Sequence, residues 1–170
     1  SQVLGTSERI QDISKLIDSS FPLPSTEGGT SVYSSNNFGF SIQYPSVFQA
    51  KVEQEDFDGL PNEFLRVGFD LGGAPIITVL VEIGGDLPDL MGDFRSGMER
   101  VESEEQIILQ GRQAIRMTGW TKLFPGDPVA QKVTMVAFAA GKSTYALINT
   151  HPASAAEELL SRMANSIRTP

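Results

Sequence analysis

The chain holds a single histidine, His151, and this is the first side chain to test for chemistry. It stands before Pro152, in the bend that leads to the last amphipathic segment. A Ser-His-Asp site needs a positioned nucleophile beside the imidazole, and no Gly-x-Ser-x-Gly elbow occurs in the sequence. Zinc motifs of the His-Glu-x-x-His type need a second histidine and are excluded. His151 therefore reads as structural. Gly141-Lys142-Ser143-Thr144 imitates the end of a phosphate-binding loop, but that loop requires a glycine five residues earlier, where Val136 stands. It also requires a following helix, whose N–H groups hold the phosphate, and here a strand pattern follows. A hairpin turn is expected instead.

Carboxylates are the remaining chemical resource. Asp56-Phe57-Asp58-Gly59 has the look of a calcium loop, yet placing Gly59 at its sixth position puts Gln54 first and Leu65 twelfth. Both positions demand carboxylates, so an EF-hand is ruled out. Glu53, Glu55, Asp56 and Asp58 then read as an acidic surface loop, with a looser cation site as the sharper alternative. A hydrolase built on paired carboxylates is a further alternative, since only three dimensions decide their separation. Asp86, Asp89 and Asp93 share a helical stripe, but acids near a helix N-terminus are expected from the macrodipole alone. Trp120 to Pro125 flanks a turn, and aromatics exposed there would form an interaction patch. Core packing is the plainer reading of Trp120 and Leu123, with Phe124 the exposed member.

Charge narrows the partners. The 170 residues carry a formal net charge of −8. Residues 53–105 hold 14 of the 21 acids and only Arg66, Arg95 and Arg100 among the bases. Phosphate backbones would be repelled, and no lysine or arginine cluster compensates, so nucleic acid is not expected as a partner. A solvated face is the plain reading of the asymmetry, and a docking surface for a basic partner the functional one. Cysteine is absent, which removes disulfides and thiolate chemistry. No run approaches the ~20 apolar residues of a membrane span. A start at Ser1 rather than Met suggests a removed N-terminal segment; a signal peptide, a lipoprotein anchor and a cloning boundary would all leave the same start.

Hydrophobic spacing supplies the elements that must position these residues. Residues 1–30 read as an arm: an amphipathic helix over Ser7–Ser19, with Ile10, Ile13, Leu16 and Ile17 at helical spacing, then a linker rich in proline, glycine and serine. Residues 31–170 read as one domain. Phe38, Phe40, Ile42 and Tyr44 alternate onto one face of a strand that Pro45 stops. Further strands are expected over Gln49–Glu55, Glu63–Leu71 and Ile76–Ile83, the last apolar on both faces. Leu87, Met91, Phe94, Met98 and Val101 predict a helix over Asp86–Ser103. Strands follow over Ile107–Leu109, Gln113–Leu123, Val129–Ala140 and Ser143–Asn149. A helix over Ala155–Ile167 closes the chain, with Ser154 and Glu157 matching a capping box.

The Gly39-Phe40-Ser41-Ile42-Gln43-Tyr44-Pro45 strand, the helix opening near Asp86, the late hairpin of Val133–Phe138 and Thr144–Ile148, and the closing Asn165-Ser166-Ile167 occur in an order that resembles the PsbP-like superfamily. That group includes the extrinsic PsbP subunit of photosystem II, Ran-binding nuclear import proteins and bacterial lipoproteins of the DcrB and LpqN kind. The resemblance runs from Val32 to Arg168. It implies an α+β fold, an α/β/α sandwich around a central, mostly antiparallel β-sheet, and the two-sided strands and two amphipathic helices support that layering independently. It also implies non-enzymatic accessory or binding roles in exported or lumenal proteins. No binding residue of the family carries over to a residue here.

The expectation is thus a non-catalytic interaction module, without cofactor or metal, exported to a periplasmic, extracytoplasmic or thylakoid-lumenal site and meeting a membrane only through a removed signal or anchor. A small-ligand or lipid carrier is the alternative beside the hydrolase. Its protein partner would be met by Glu53, Glu55, Asp56, Phe57, Asp58, Trp120 and Phe124.

Overall fold

The computed structural model describes residues 29–57, 63–122, 126, 129–151 and 154–169. The arm helix expected over Ser7–Ser19 lies outside these residues, as do Asp58 and Phe124. Two strands, β1 (Thr30–Ser35) and β2 (Phe40–Pro45), form a small antiparallel hairpin in which Thr30 faces Pro45 and Ser35 faces Phe40. Its turn closes through Gly39, at φ 69°, whose N–H donates to the Ser35 carbonyl at 2.8 Å. β2 carries the expected alternation, with Phe40 and Ile42 buried. β1 falls partly on the expected linker and was not anticipated. Its Ser-Val-Tyr-Ser-Ser sequence buries little, and only pairing with β2 makes it a strand.

The main sheet has seven strands, all paired antiparallel. They are β3 (Gln49–Asp56), β4 (Glu63–Asp70), β5 (Ile77–Ile83), β6 (Arg100–Leu109), β7 (Arg112–Thr121), β8 (Gln131–Ala140) and β9 (Ser143–Asn149), in the order β3-β4-β5-β9-β8-β7-β6. Hairpins join neighbours except after β5, where helix α1 (Leu87–Gly97) carries the chain to the far edge. The β8–β9 turn has Gly141 at φ 60°, and a strand follows it, so the Gly-Lys-Ser-Thr segment is a hairpin. Helix α2 (Ser154–Ser166) closes the fold.

Two cores lie on the two faces. Leu65, Val67 and Phe69 of β4, Val79 and Val81 of β5 and Leu147 of β9 pack in one cluster with Phe40 and Ile42 of the hairpin and Leu159, Leu160 and Met163 of α2. The alternate residues, Leu80, Met117, Met135, Ala137 and Ala146, cluster with Leu87, Met91 and Phe94 of α1. A sheet apolar on both sides between helical covers is the α/β/α arrangement, and the fold is α+β.

The helix over Asp86–Ser103 is corrected. α1 ends at Gly97, Met98 is extended at φ −94° and ψ 141°, and β6 begins at Arg100. Met98 still packs against the α1 core, which is why the helical spacing continued through it. Val101 does not belong to that stripe; it is 38% exposed on an edge strand. The long β6–β7 ladder claims residues 100–109, and Gly97 is a weak helix former at the point of exit. Arg95 in the last turn pairs with Glu104 at 2.6 Å and fastens the helix end to β6.

Close approach of α1, β6 and β7 is possible because residue 119 is glycine. A Cβ there would lie 2.7 Å from the Arg100 carbonyl and would run into the Met98 sulfur. Gly119→Ala is expected to lower stability by about 1–3 kcal/mol, an overpacking penalty read from the urea midpoint. An unchanged midpoint would mean that these three elements do not meet as described.

Candidate interaction surface

β3 is an edge strand whose only ladder partner is β4. It is exposed throughout except at half-buried Ala50, and a bulge between Val52 and Gln54 sets Glu53 outside the regular register. Bulges and charge are the usual means of keeping such an edge from pairing with itself. Glu53 folds over its neighbour β4, so that a Cβ on Gly68 would come within 2.6 Å of Glu53 Oε1. Glu55 Oε1 accepts from Asn37 Nδ2 at 2.8 Å, and Asp56 Oδ2 accepts from Gln54 Nε2 at 2.7 Å. Phe57 follows, 44% exposed, with its ring edge-on to Phe38 at 5.3 Å.

These contacts leave the charge of β3 intact. Among the described residues, none of Glu53, Glu55 and Asp56 forms an ion pair. The nearby cation Arg66 lies over the Phe64 ring, 5.6 Å from its centroid. The opposite edge differs. On and beside β6, Glu99 meets Lys122 at 3.4 Å, Glu102 meets Lys132 at 3.7 Å and Glu104 meets Arg95 at 2.6 Å. The hydrogen bond from Arg95 holds the Glu104 carboxyl below its ordinary range. The acids at the two sheet edges therefore differ: those of β3 have no ion pair among the described residues, whereas the β6 edge is largely neutralised, with Glu105 its one acid outside an ion pair there.

Trp120 falls on the neutralised side. Half-buried on β7, it donates from Nε1 to Glu102 Oε2 at 3.1 Å and has the Arg100 guanidinium 5.4 Å from its ring centroid. Five strand spacings separate β7 from β3, roughly 24 Å at about 4.8 Å each. Trp120 and the β3 acids thus belong to different surfaces. The acids of α1 make a third, with Asp86, Asp89 and Asp93 all exposed. His151 is buried at the end of β9, where its backbone N–H donates to Asn149 Oδ1 at 2.9 Å.

Two concavities were not anticipated. One, of about 660 Å³, lies between α2, the open end of the hairpin and the β6–β7 turn, with Tyr44, Gln110, Met163 and Arg168 in its lining. The other, of about 240 Å³, lies beside α1 and is lined by Phe94, Met98, Val133 and Met135. The only trace of the first in the sequence is a pair of arginines, Arg162 and Arg168, close to the end of an acidic chain.

No family model matches the chain, and no curated protein matches it. Among solved structures it is similar to the solution structure of cyanobacterial PsbP (CyanoP) from Synechocystis sp. PCC 6803. The two share 16% identity over 88% of this chain and 99% of that one, with a TM-score of 0.52. The fold is PsbP-like.

The hairpin reports on the charge of β3. Tyr33 of β1 has its phenol pKa raised above the ordinary 10.0, first by burial and then by the Glu55 charge. Both disfavour the phenolate, so the associated stability is complete below about pH 10 and is lost as pH rises through the folded value. Glu55→Gln should lower the Tyr33 pKa towards 10 in a site-resolved NMR titration of the tyrosine rings. A Tyr33 midpoint that stays in place would show that the Glu55 carboxylate does not face the ring.

Proposed function

We propose that the protein is a non-catalytic interaction module that receives a basic segment of a partner protein along β3. The observation that carries this reading is the contrast between the two sheet edges: Glu53, Glu55 and Asp56 all lack an ion pair among the described residues, whereas at the β6 edge Glu99, Glu102 and Glu104 each have one and only Glu105 does not. Uncompensated carboxylates at a surface attract and orient a cationic partner more than they add to fold stability. Phe57 beside them offers an exposed aromatic anchor, the kind of residue that concentrates binding energy at protein interfaces. Trp120 is not part of this surface, since β7 lies five strands away across the sheet.

The non-enzymatic part of the proposal, and export from the cytoplasm with it, rests on the PsbP-like fold and on the roles that the resemblance implies. No helix among the described residues is long and apolar enough to cross a membrane. A carrier holding its ligand beneath α1 would need an apolar cavity there, and that space, about 240 Å³, falls below the roughly 300–1,000 Å³ of ordinary ligand pockets.

A synthetic peptide of eight lysines and arginines, titrated into labelled protein at low and physiological salt, tests the surface. Backbone shifts are expected over residues 49–57 and not over 99–105, with affinity falling as salt rises. The triple variant Glu53→Gln, Glu55→Gln, Asp56→Asn should weaken binding about tenfold, from three solvated charges of a few tenths of a kcal/mol each. Equal shifts at both edges, or a map centred on α1, would sink the proposal.

A further inference from the structure

We propose that the cleft between α2 and the open end of the β1–β2 hairpin is a binding site for a small amphipathic organic anion, a carboxylate or phosphate ester carried on an apolar body. This goes beyond the docking surface on β3 and does not rest on it.

Composition is the first argument. The chain has 21 acids against 13 bases, yet the lining of this cleft contains Arg162 and Arg168 and no aspartate or glutamate. Arg168 is exposed, and its side chain has no ion pair or hydrogen bond among the described residues. Arg162 meets Glu158 at 3.4 Å one helical turn away, with both side chains well exposed. Gln110 and Gln43 add amide groups to the lining. The apolar part of the wall comes from half-buried Tyr44 of β2, with the buried Leu159 and Met163 of α2 behind it. A volume of about 660 Å³ falls within the usual range for small-molecule sites.

The walls are also tied together, so the ligand would not have to order them. Ser166 Oγ accepts from Gln43 N at 2.9 Å and lies 2.7 Å from the Met163 carbonyl, which locks β2 to the end of α2. Ser41 and Arg168 exchange backbone hydrogen bonds at 3.0 and 2.9 Å, a single antiparallel bridge that ties the segment after α2 to the hairpin. On the far side the β6–β7 turn places Gln110 at φ 52° and Gly111 at φ 77°. Turns of this type favour asparagine, aspartate or glycine at the first position. Gln110 instead sends its side-chain amide to the Asn165 carbonyl of α2, fixing the turn as the third wall. Pre-ordered walls lower the entropic cost of binding.

The test uses the full chain and three probes: decanoate, acetate, and the neutral decyl glucoside. Decanoate should bind with NMR shifts at Tyr44, Gln110, Met163 and Arg168 and none at Phe94 or Met135 beside α1. Acetate and the glucoside should each bind at least tenfold more weakly, because each lacks one half of the recognised chemistry. Arg168→Gln should weaken decanoate about tenfold, the size expected for one charge-assisted hydrogen bond, while leaving the fold intact because the residue's backbone pairing is retained. Flotation with phosphatidylglycerol vesicles separates the sources: binding that Arg168→Gln abolishes assigns a lipid headgroup, and decanoate binding without flotation assigns a soluble anion. Equal affinity for the glucoside, an unaffected Arg168→Gln variant, or shifts confined to the α1 side would overturn the assignment. None of these variants touches β3, so failure here leaves the basic-segment reading standing, and the reverse also holds.

Discussion

The rest of the structure depends on a sheet whose central strands are apolar on both faces. Along β5, Val79 and Val81 point into one core while Leu80 points into the other. β9 repeats the pattern, with Tyr145 and Leu147 on one side and Ala146 and Ile148 on the other. Neither face can be left in water, so each must acquire a cover. The topology supplies one of them as part of a connection. β9 occupies the place beside β5, and the chain leaving β5 must therefore travel to the opposite edge before it can form β6. α1 makes that journey across the second face and buries Met91 on the way.

The two covers do different work. On the α2 side the packing is aromatic and directional. Tyr145 stacks on Phe138 with centroids 5.0 Å apart and meets Phe40 of the hairpin edge-on at 5.7 Å. Tyr44 and Tyr33 approach Phe69 at 5.0 and 6.5 Å. Burial raises the Tyr145 phenol pKa, against the opposing effects of a hydrogen bond with Ser143 and the charge of Arg112. Rings in fixed tilted and stacked geometries hold the hairpin at one angle on the sheet. The α1 side uses methionine instead: of the chain's five methionines, Met91, Met98, Met117 and Met135 lie in or against that core. Flexible thioethers fill the irregular space beneath a single short helix that shaped rings would leave imperfectly packed.

Period was legible in the sequence, and pairing was not. The strand ending at Pro45 is written in period-two alternation, and the short apolar run at Ile77–Ile83, rich in β-branched residues, reads as a strand covered on both sides. Met98 shows the limit. It continues the α1 stripe in spacing and in packing, but its backbone is already extended, because β6 finds its partner in β7. β1 shows the same limit from the other side, since it is a strand through its partner rather than its own residues. The candidate surface divides along this line too. Sequence counted the acids of residues 53–105 as one group, whereas strand order sends Glu53 and Glu102 to opposite edges. Compensation by Lys122, just after β7, and Lys132 of β8 depends on contacts between segments remote in sequence.

The hairpin links the two surfaces and also keeps them apart. Its turn end touches the acidic edge through Asn37 and Glu55, and its open end lines the arginine-bearing cleft through Tyr44. Strands of six residues set these ends about 20 Å apart at roughly 3.3 Å per residue. That exceeds twice the screening length of about 8 Å at physiological ionic strength. Charge at one end is therefore nearly invisible at the other across solvent, so the uncompensated carboxylates of β3 do not cancel the cationic character of the cleft. A chain with a large net negative charge can in this way present an anionic edge and a cationic recess on one rigid body. The aromatic core holds the hairpin, and with it the separation of the two charges, in place.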